Sequence, residues 1–184
     1  MLPISTARLT LRPFTVDDFD DLHAYYSLPE VARYVYWEPC TPEESRLALE
    51  RNMARHAIEE EGDGLVLAAH WPEAGRVVGH VSLQWTSREH RQGEIGFVMN
   101  PAFQRRGLAT EAARSMLALG FDGLGLHRIS GRCDPRNPGS VGVLERLGMR
   151  REAHFRENEI VKGEWIDEYV YALLEAEWRH TSAK

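Results

Sequence analysis

The segment that most constrains this chain is Gln104-Arg105-Arg106-Gly107-Leu108-Ala109-Thr110-Glu111-Ala112. Before it, the apolar run Ile95 to Met99 reads as a strand stopped by Asn100-Pro101. After it, Ala112, Met116, Leu117, Leu119 and Phe121 recur at helical spacing. The segment therefore lies where a strand hands over to a helix. The first turn of a helix carries N–H groups without internal partners and the positive end of the helix dipole. Gly107 and Ala109 leave that backbone uncovered, so a phosphate can approach the N–H groups through Thr110. Arg105 and Arg106 place full positive charges beside it. Such a turn suits a pyrophosphate.

What the segment lacks narrows the choice. There is no G-x-x-x-x-G-K-[ST], so a nucleotide-hydrolase phosphate loop is not supported. Gly123-Leu124-Gly125 follows a helix and lacks a third glycine, so it is no dinucleotide fingerprint. The pattern Q-R-R-G-L-A does resemble the acetyl-coenzyme A signature of the GNAT superfamily of N-acetyltransferases. Six residues also fit an ordinary helix start with two surface arginines, so the rest of the chain must decide.

At 184 residues the chain suits one domain with one sizeable core, spanning 1–184. The net charge of −6 and pI near 5.8 argue against a nucleic-acid surface and mildly favour a cationic substrate. Cys40 and Cys133, the only cysteines, fit a reducing compartment. No run approaches membrane-spanning length and no signal-like stretch opens the chain, so a cytoplasmic protein with no membrane partner is expected.

In order, Thr6 to Arg12 alternates as a first strand, and Thr15 caps a helix with Asp17, Asp18, Phe19 and Leu22. Tyr34, Tyr36 and Trp37 cluster before Pro39. Thr41-Pro42-Glu43-Glu44 starts a helix carrying Leu47, Leu49, Met53 and Ile58, ended by Gly62-Asp63-Gly64. Leu65 to Trp71 and Val77 to Trp85 read as a hairpin, and Glu94 to Met99 delivers the signature. Arg128 to Cys133 is a short strand, Val141 to Leu147 a helix closed by Gly148, and Arg150 to Ile160 with Trp165 to Leu174 form two last strands. The expected fold is α/β (α+β): a mixed, mostly antiparallel sheet of about seven strands flanked by helices.

Further blocks extend the resemblance over nearly the whole chain. Asn137-x-x-Ser140 followed by Val143-Leu144-Glu145-x-Leu147-Gly148-Met149 looks like the second conserved block of GNAT enzymes, at the right distance from Gln104. Thr6-x-Arg8-Leu9-x-Leu11-Arg12 and Gly163-x-Trp165-x-Asp167 resemble the RimJ/RimL-type branch. The resemblance implies the GNAT fold and transfer of acetyl from acetyl-coenzyme A to a primary amine, with no metal. Many relatives form homodimers, which leaves that state open here.

The reaction needs a neutral amine. At pH 7 an alkyl ammonium (pKa about 10.4) costs about 4–5 kcal/mol to deprotonate, and an α-ammonium only about 1. Glu94 begins the strand leading to the signature, shares a face with Gly96 and Val98, and stands where the family often has a glutamate; it is the candidate base, though a solvated edge carboxylate fits nearly as well. Ser140 is the candidate acid for the departing thiolate, or simply the cap of the helix near Val141. The resemblance implies that Asn137, otherwise a turn residue beside Pro138, hydrogen-bonds the pantetheine arm, and that a backbone N–H of Phe97, Val98 or Met99 meets the thioester oxygen. Tyr36 and Trp37 can wall the acceptor side, or merely join the core. Asp167 leads the hairpin acids Glu157, Glu159 and Glu164 as an attractor for a cationic amine. His70, His80 and His90 lack metal-ligand company and read as sheet histidines, and Cys133 as a packed thiol.

The branch points to a protein N-terminal α-amine, such as a ribosomal protein's, as acceptor. A polyamine, amino acid or antibiotic is the alternative. A non-catalytic acetyl-coenzyme A-binding module is the other class; retention of both Glu94 and Ser140 argues against it.

Overall fold

Strands form where the chain alternates or runs apolar. In the computed structural model, which describes residues 2–182, eight of them make one sheet in the order β1-β2-β3-β4-β5-β6-β8-β7. They are β1 (Ile4–Ser5), β2 (Thr10–Arg12), β3 (Gly64–Trp71), β4 (Arg76–Ser87), β5 (Gln92–Met99), β6 (Arg128–Cys133), β7 (Arg150–Val161) and β8 (Glu164–Leu174). Every neighbouring pair is antiparallel except β5 and β6, which run parallel. The helices are α1 (Phe19–Tyr26), α2 (Pro29–Ala32), α3 (Pro42–Ala54), α4 (Leu108–Ala118), α5 (Pro138–Arg146) and α6 (Glu175–Ser182). The mixed α/β architecture matches the expectation. The single unit expected over 1–184 runs past the described residues at both ends.

β3 explains why helices cover both faces. Its Leu65, Leu67, Ala69 and Trp71 join one core cluster, with Leu108, Met116 and Leu117 of α4 and Leu144 of α5. Val66 and Ala68 join another, with Leu22 and Tyr25 of α1 and Ala48 and Leu49 of α3. A strand buried on both sides reads as a continuous apolar run. Each fully buried Leu contributes roughly 1.5–3 kcal/mol of transfer free energy, so neither face can be left open.

Three local expectations are corrected and one helix is added. The strand expected from Thr6 starts only at Thr10, because Thr6 and Leu9 close a turn (Thr6 N to Leu9 O, 2.9 Å; Leu9 N to Thr6 Oγ1, 2.9 Å), and Ile4–Ser5 pairs separately as β1. α3 stops at Ala54, short of Ile58: Arg55 leaves helical geometry and its carbonyl accepts from Val66 N at 2.7 Å. His90 lies in the β4–β5 turn rather than in a strand. α6 was not expected; Trp178 anchors it by stacking on Phe121 at 5.7 Å and donating to Asp122. No helix among the described residues is long and apolar enough to cross a membrane.

The feature that positions the site is a split in the sheet. β5 pairs with β6 only from Gln92/Arg128 to Ile95/Gly131. Beyond that, Gly96 to Met99 pair on the β4 side alone, while Arg132 and Cys133 pair with β8 alone. α4 follows β5 and α5 follows β6, so both helices begin beside this opening.

Candidate active site

The opening widens into a cavity of about 1300 Å³. One end is made of backbone. Arg105 (φ +60°) and Gly107 (φ +78°) both take left-handed conformations, which turn successive N–H groups inward. No side chain caps α4, and among the described residues no acceptor meets the N–H groups of Leu108, Ala109 or Thr110. Free amides at a helix start, with Gln104, Arg105, Gly107, Leu108, Ala109 and Thr110 on the cavity wall, fit a pyrophosphate. Arg106 points elsewhere: its guanidinium lies 5.5 Å from the Trp71 ring centre, and it is not on the wall.

A brace holds this turn from the far end of the sequence. Arg8 donates from N and Nε to the two Glu111 oxygens (2.7 and 2.8 Å) and from Nη1 to the Arg106 carbonyl (2.7 Å), and Thr6 Oγ1 donates to Glu111 as well. Burial alone would push the Glu111 carboxyl up, but the hydrogen bonds from Thr6 and Arg8 outweigh it and hold it below its usual range. Nothing in sequence announced this pairing across 103 residues.

Phe97, Val98 and Met99 line the middle, on the strand edge freed by the split. The Met99 carbonyl accepts from Gln104 Nε2 at 3.1 Å, which ties strand to turn. Asn137 and Ser140 lie opposite, at the start of α5. The cap is Asn137 rather than Ser140: its Oδ1 accepts from Ser140 N at 3.1 Å. The Ser140 hydroxyl therefore escapes the capping role and makes no hydrogen bond among the described residues. Cys133 also borders the cavity, but burial first, then Asp134, pushes its thiol up to about 11. A thiol that stays protonated is a poor nucleophile.

The other end is made of side chains. Glu94 lines it with 38% of its side chain exposed, and a Cβ at Gly96 on the same strand would meet Ser82 Oγ at 2.8 Å and make that hydroxyl turn away. Burial raises the Glu94 carboxyl, against the opposing pull of Arg132 and a Ser130 hydrogen bond. His80 on β4 is buried, bonded to Tyr25 Oη at 3.0 Å, and pushed down to about 4 by burial and then by Arg55, so a neutral imidazole sits on the wall. Trp37 stacks on Tyr26 at 4.9 Å, and among the described residues its buried Nε1 has no partner. Tyr36 is 71% exposed and donates to Glu159 Oε2 at 2.8 Å; burial and then Glu159 push its phenol up to about 12. Asp167 accepts from Glu157 N (2.9 Å) and meets His154 Nε2 (2.7 Å), bonds that hold its carboxyl down. The sequence reading missed Arg132 and Glu168, which also face this end; no motif marks them, because their pairing is made across strands.

Two segments far apart in sequence meet over this side-chain end. The end of α2 and the loop after it, carrying Tyr36 and Trp37, are tied to the β7–β8 hairpin by Tyr36–Glu159, by Lys162 Nζ donating to the Ala32 carbonyl (2.7 Å), and by Lys162–Glu38 (3.5 Å).

Comparison with known proteins agrees with this geometry. Residues 8–150 match the family described as "Acetyltransferase (GNAT) domain". The "Uncharacterized N-acetyltransferase YnaD" of Bacillus subtilis (strain 168) is 35% identical over 95% of this chain and 98% of its own. The spermidine N(1)-acetyltransferase of Escherichia coli (strain K12) is 25% identical over 88% of this chain and 83% of its own. The crystal structure of the GNAT-family acetyltransferase from Bacillus anthracis superposes with a TM-score of 0.84 at 35% identity, covering 95% of this chain and 99% of that one. The chain belongs to the GNAT acetyltransferase family and is an N-acetyltransferase.

Proposed function

We propose that this chain acts as one domain, moves the acetyl group of acetyl-coenzyme A, and delivers it to a small cationic primary amine. The observation that carries the choice of acceptor is the tie of α2 and the α2–α3 loop to the β7–β8 hairpin: Tyr36–Glu159 and Lys162–Ala32 join two walls of the acceptor end. A protein N-terminus would have to thread past this tie as an extended tail, whereas a small amine would not. Within that end Arg132 stands between Glu94 and Glu168, and the partly exposed carboxylates of Glu94 and Asp167 remain open to a cationic substrate. The similarity to spermidine acetyltransferase points the same way.

Acetyl-coenzyme A supplies an acyl group already activated as a thioester. The free amides of Leu108, Ala109 and Thr110, with Arg105, would hold its pyrophosphate, and Asn137 its amide-bearing arm. Glu94 takes the proton from the ammonium; its burial makes it the better base for an amine that costs about 4–5 kcal/mol to deprotonate at pH 7. A backbone N–H on the freed edge of β5 would donate to the oxygen that gains charge, and the unengaged Ser140 hydroxyl would pass its proton to the departing sulfur while the second proton of the attacking nitrogen replaces it.

The test is release of free coenzyme A thiol across polyamines, amino acids, aminoglycosides and short peptides. Small amines should exceed peptides at least tenfold in kcat/KM. A peptide preference would overturn the choice of acceptor and favour the protein N-terminus.

A further inference from the structure

Arg132, on β6, stands between two carboxylates. Its Nε lies 3.6 Å from Glu94 Oε2 and its Nη1 lies 3.3 Å from Glu168 Oε1. Glu168, on β8, is only 6% exposed, and its other oxygen accepts from Asn158 Nδ2 of β7 at 3.1 Å. Elsewhere in this protein a committed pair is much closer: Arg12 and Asp18 meet at 2.7 Å, the usual length of a charge-assisted bond. Arg132 is spread over two partners and seated tightly on neither.

The arrangement has a use at the proton-transfer step. One proton leaves the ammonium nitrogen and binds a Glu94 oxygen, so Glu94 goes from charged to neutral. An arginine paired with Glu94 alone would then lose its counter-ion in a half-buried site. Here Glu168 remains to balance it. We infer that Arg132 is a positioning residue whose charge is divided between Glu94 and Glu168, and that the Glu168 share sets how strong a base Glu94 is. The inference rests on Glu94 being the proton acceptor. The other groups beside Glu94 are Ser130 on β6 and, in register on β4, Gln84; His80 further along β4 is neutral. None of these carries a charge that could replace Arg132.

The test is the acid limb of kcat/KM against pH, measured with an amine whose own pKa lies above the window. Arg132 favours the ionised form of Glu94, so Arg132→Met should move the limb up by about one pH unit, read as a roughly tenfold fall below it. Arg132→Lys keeps the charge and should restore most of that shift. Glu168→Gln frees Arg132 for Glu94 and should move the limb the other way, to lower pH. This variant keeps the side-chain shape and decides the matter even if Arg132→Met folds poorly. Glu94→Gln should abolish the limb. If it does so while neither Arg132→Met nor Glu168→Gln moves the limb, the charge sharing is wrong and the base assignment stands. A limb that persists in Glu94→Gln overturns both.

Discussion

The two ends of the cavity are built in different ways. The end proposed for the coenzyme is a run of consecutive residues that presents free main-chain amides, held in place by the remote Arg8–Glu111 brace. The end proposed for the acceptor is assembled from side chains on β4, β5, β6, β8 and the α2–α3 loop, segments separate in sequence. Backbone recognition tolerates change in side chains so long as the turn keeps its shape. Side-chain recognition can be retuned one residue at a time. This contrast gives a physical reason for a shared donor and varied acceptors: the part that must stay constant is conformational, and the part that can vary is chemical.

The contrast can be broken at either end. The largest effect should come from Glu94→Gln, which should lower kcat/KM by about 10²–10⁴ while leaving the coenzyme dissociation constant, measured by calorimetry, within about twofold of the parent. A large change in coenzyme affinity would erase the distinction between the ends. Next, Gly107→Val places a β-branched residue at φ +78°, which costs on the order of 1–2 kcal/mol or disrupts the turn, so coenzyme binding should weaken at least tenfold. The acid limb set by Glu94 should not move.

Smaller effects sharpen the picture. Glu111→Gln loosens the brace and should weaken coenzyme binding roughly three- to tenfold, in line with loss of a charge-assisted bond. The same brace should show in the parent's pH dependence. Because the folded-state pKa of Glu111 lies below its ordinary value of 4.5, its contribution is complete above that value and lost as pH falls through the depressed one. Coenzyme affinity should therefore fall on acidification before it falls for Glu111→Gln. Smallest of all, Tyr36→Phe removes one exposed hydrogen bond to Glu159 and should raise the acceptor KM about two- to fivefold with coenzyme affinity unchanged.

The same contrast governs how much was legible in the sequence. The turn after β5 could be read because its information is contiguous: a strand stop, two small residues and a helix period. The place of Glu94 on the cavity wall, with Gly96 and Val98, followed from alternation along one strand. Arg105 and Arg106 look alike in sequence, yet the left-handed turn sends one to the cavity and the other to Trp71. Asn137 and Ser140 are both good caps, and only the structure shows which is used. Arg132, Glu168 and the Arg8–Glu111 brace were invisible because each depends on register or on contacts between segments 36 to 103 residues apart. α6 escaped notice because Leu174 runs into Glu175 without any breaking residue.

The split between β5 and β6 has a consequence for how the protein holds itself together. A sheet interrupted in its middle has two interior edges, with main-chain donors and acceptors that water must satisfy. A ligand bearing peptide-like amides can pair with such an edge as an added strand does. The coenzyme would then serve as a missing rung as well as a substrate, stitching the β1–β5 half to the β6–β8 half. Amide exchange along Gly96 to Met99 should slow when it binds, and melting should become more cooperative.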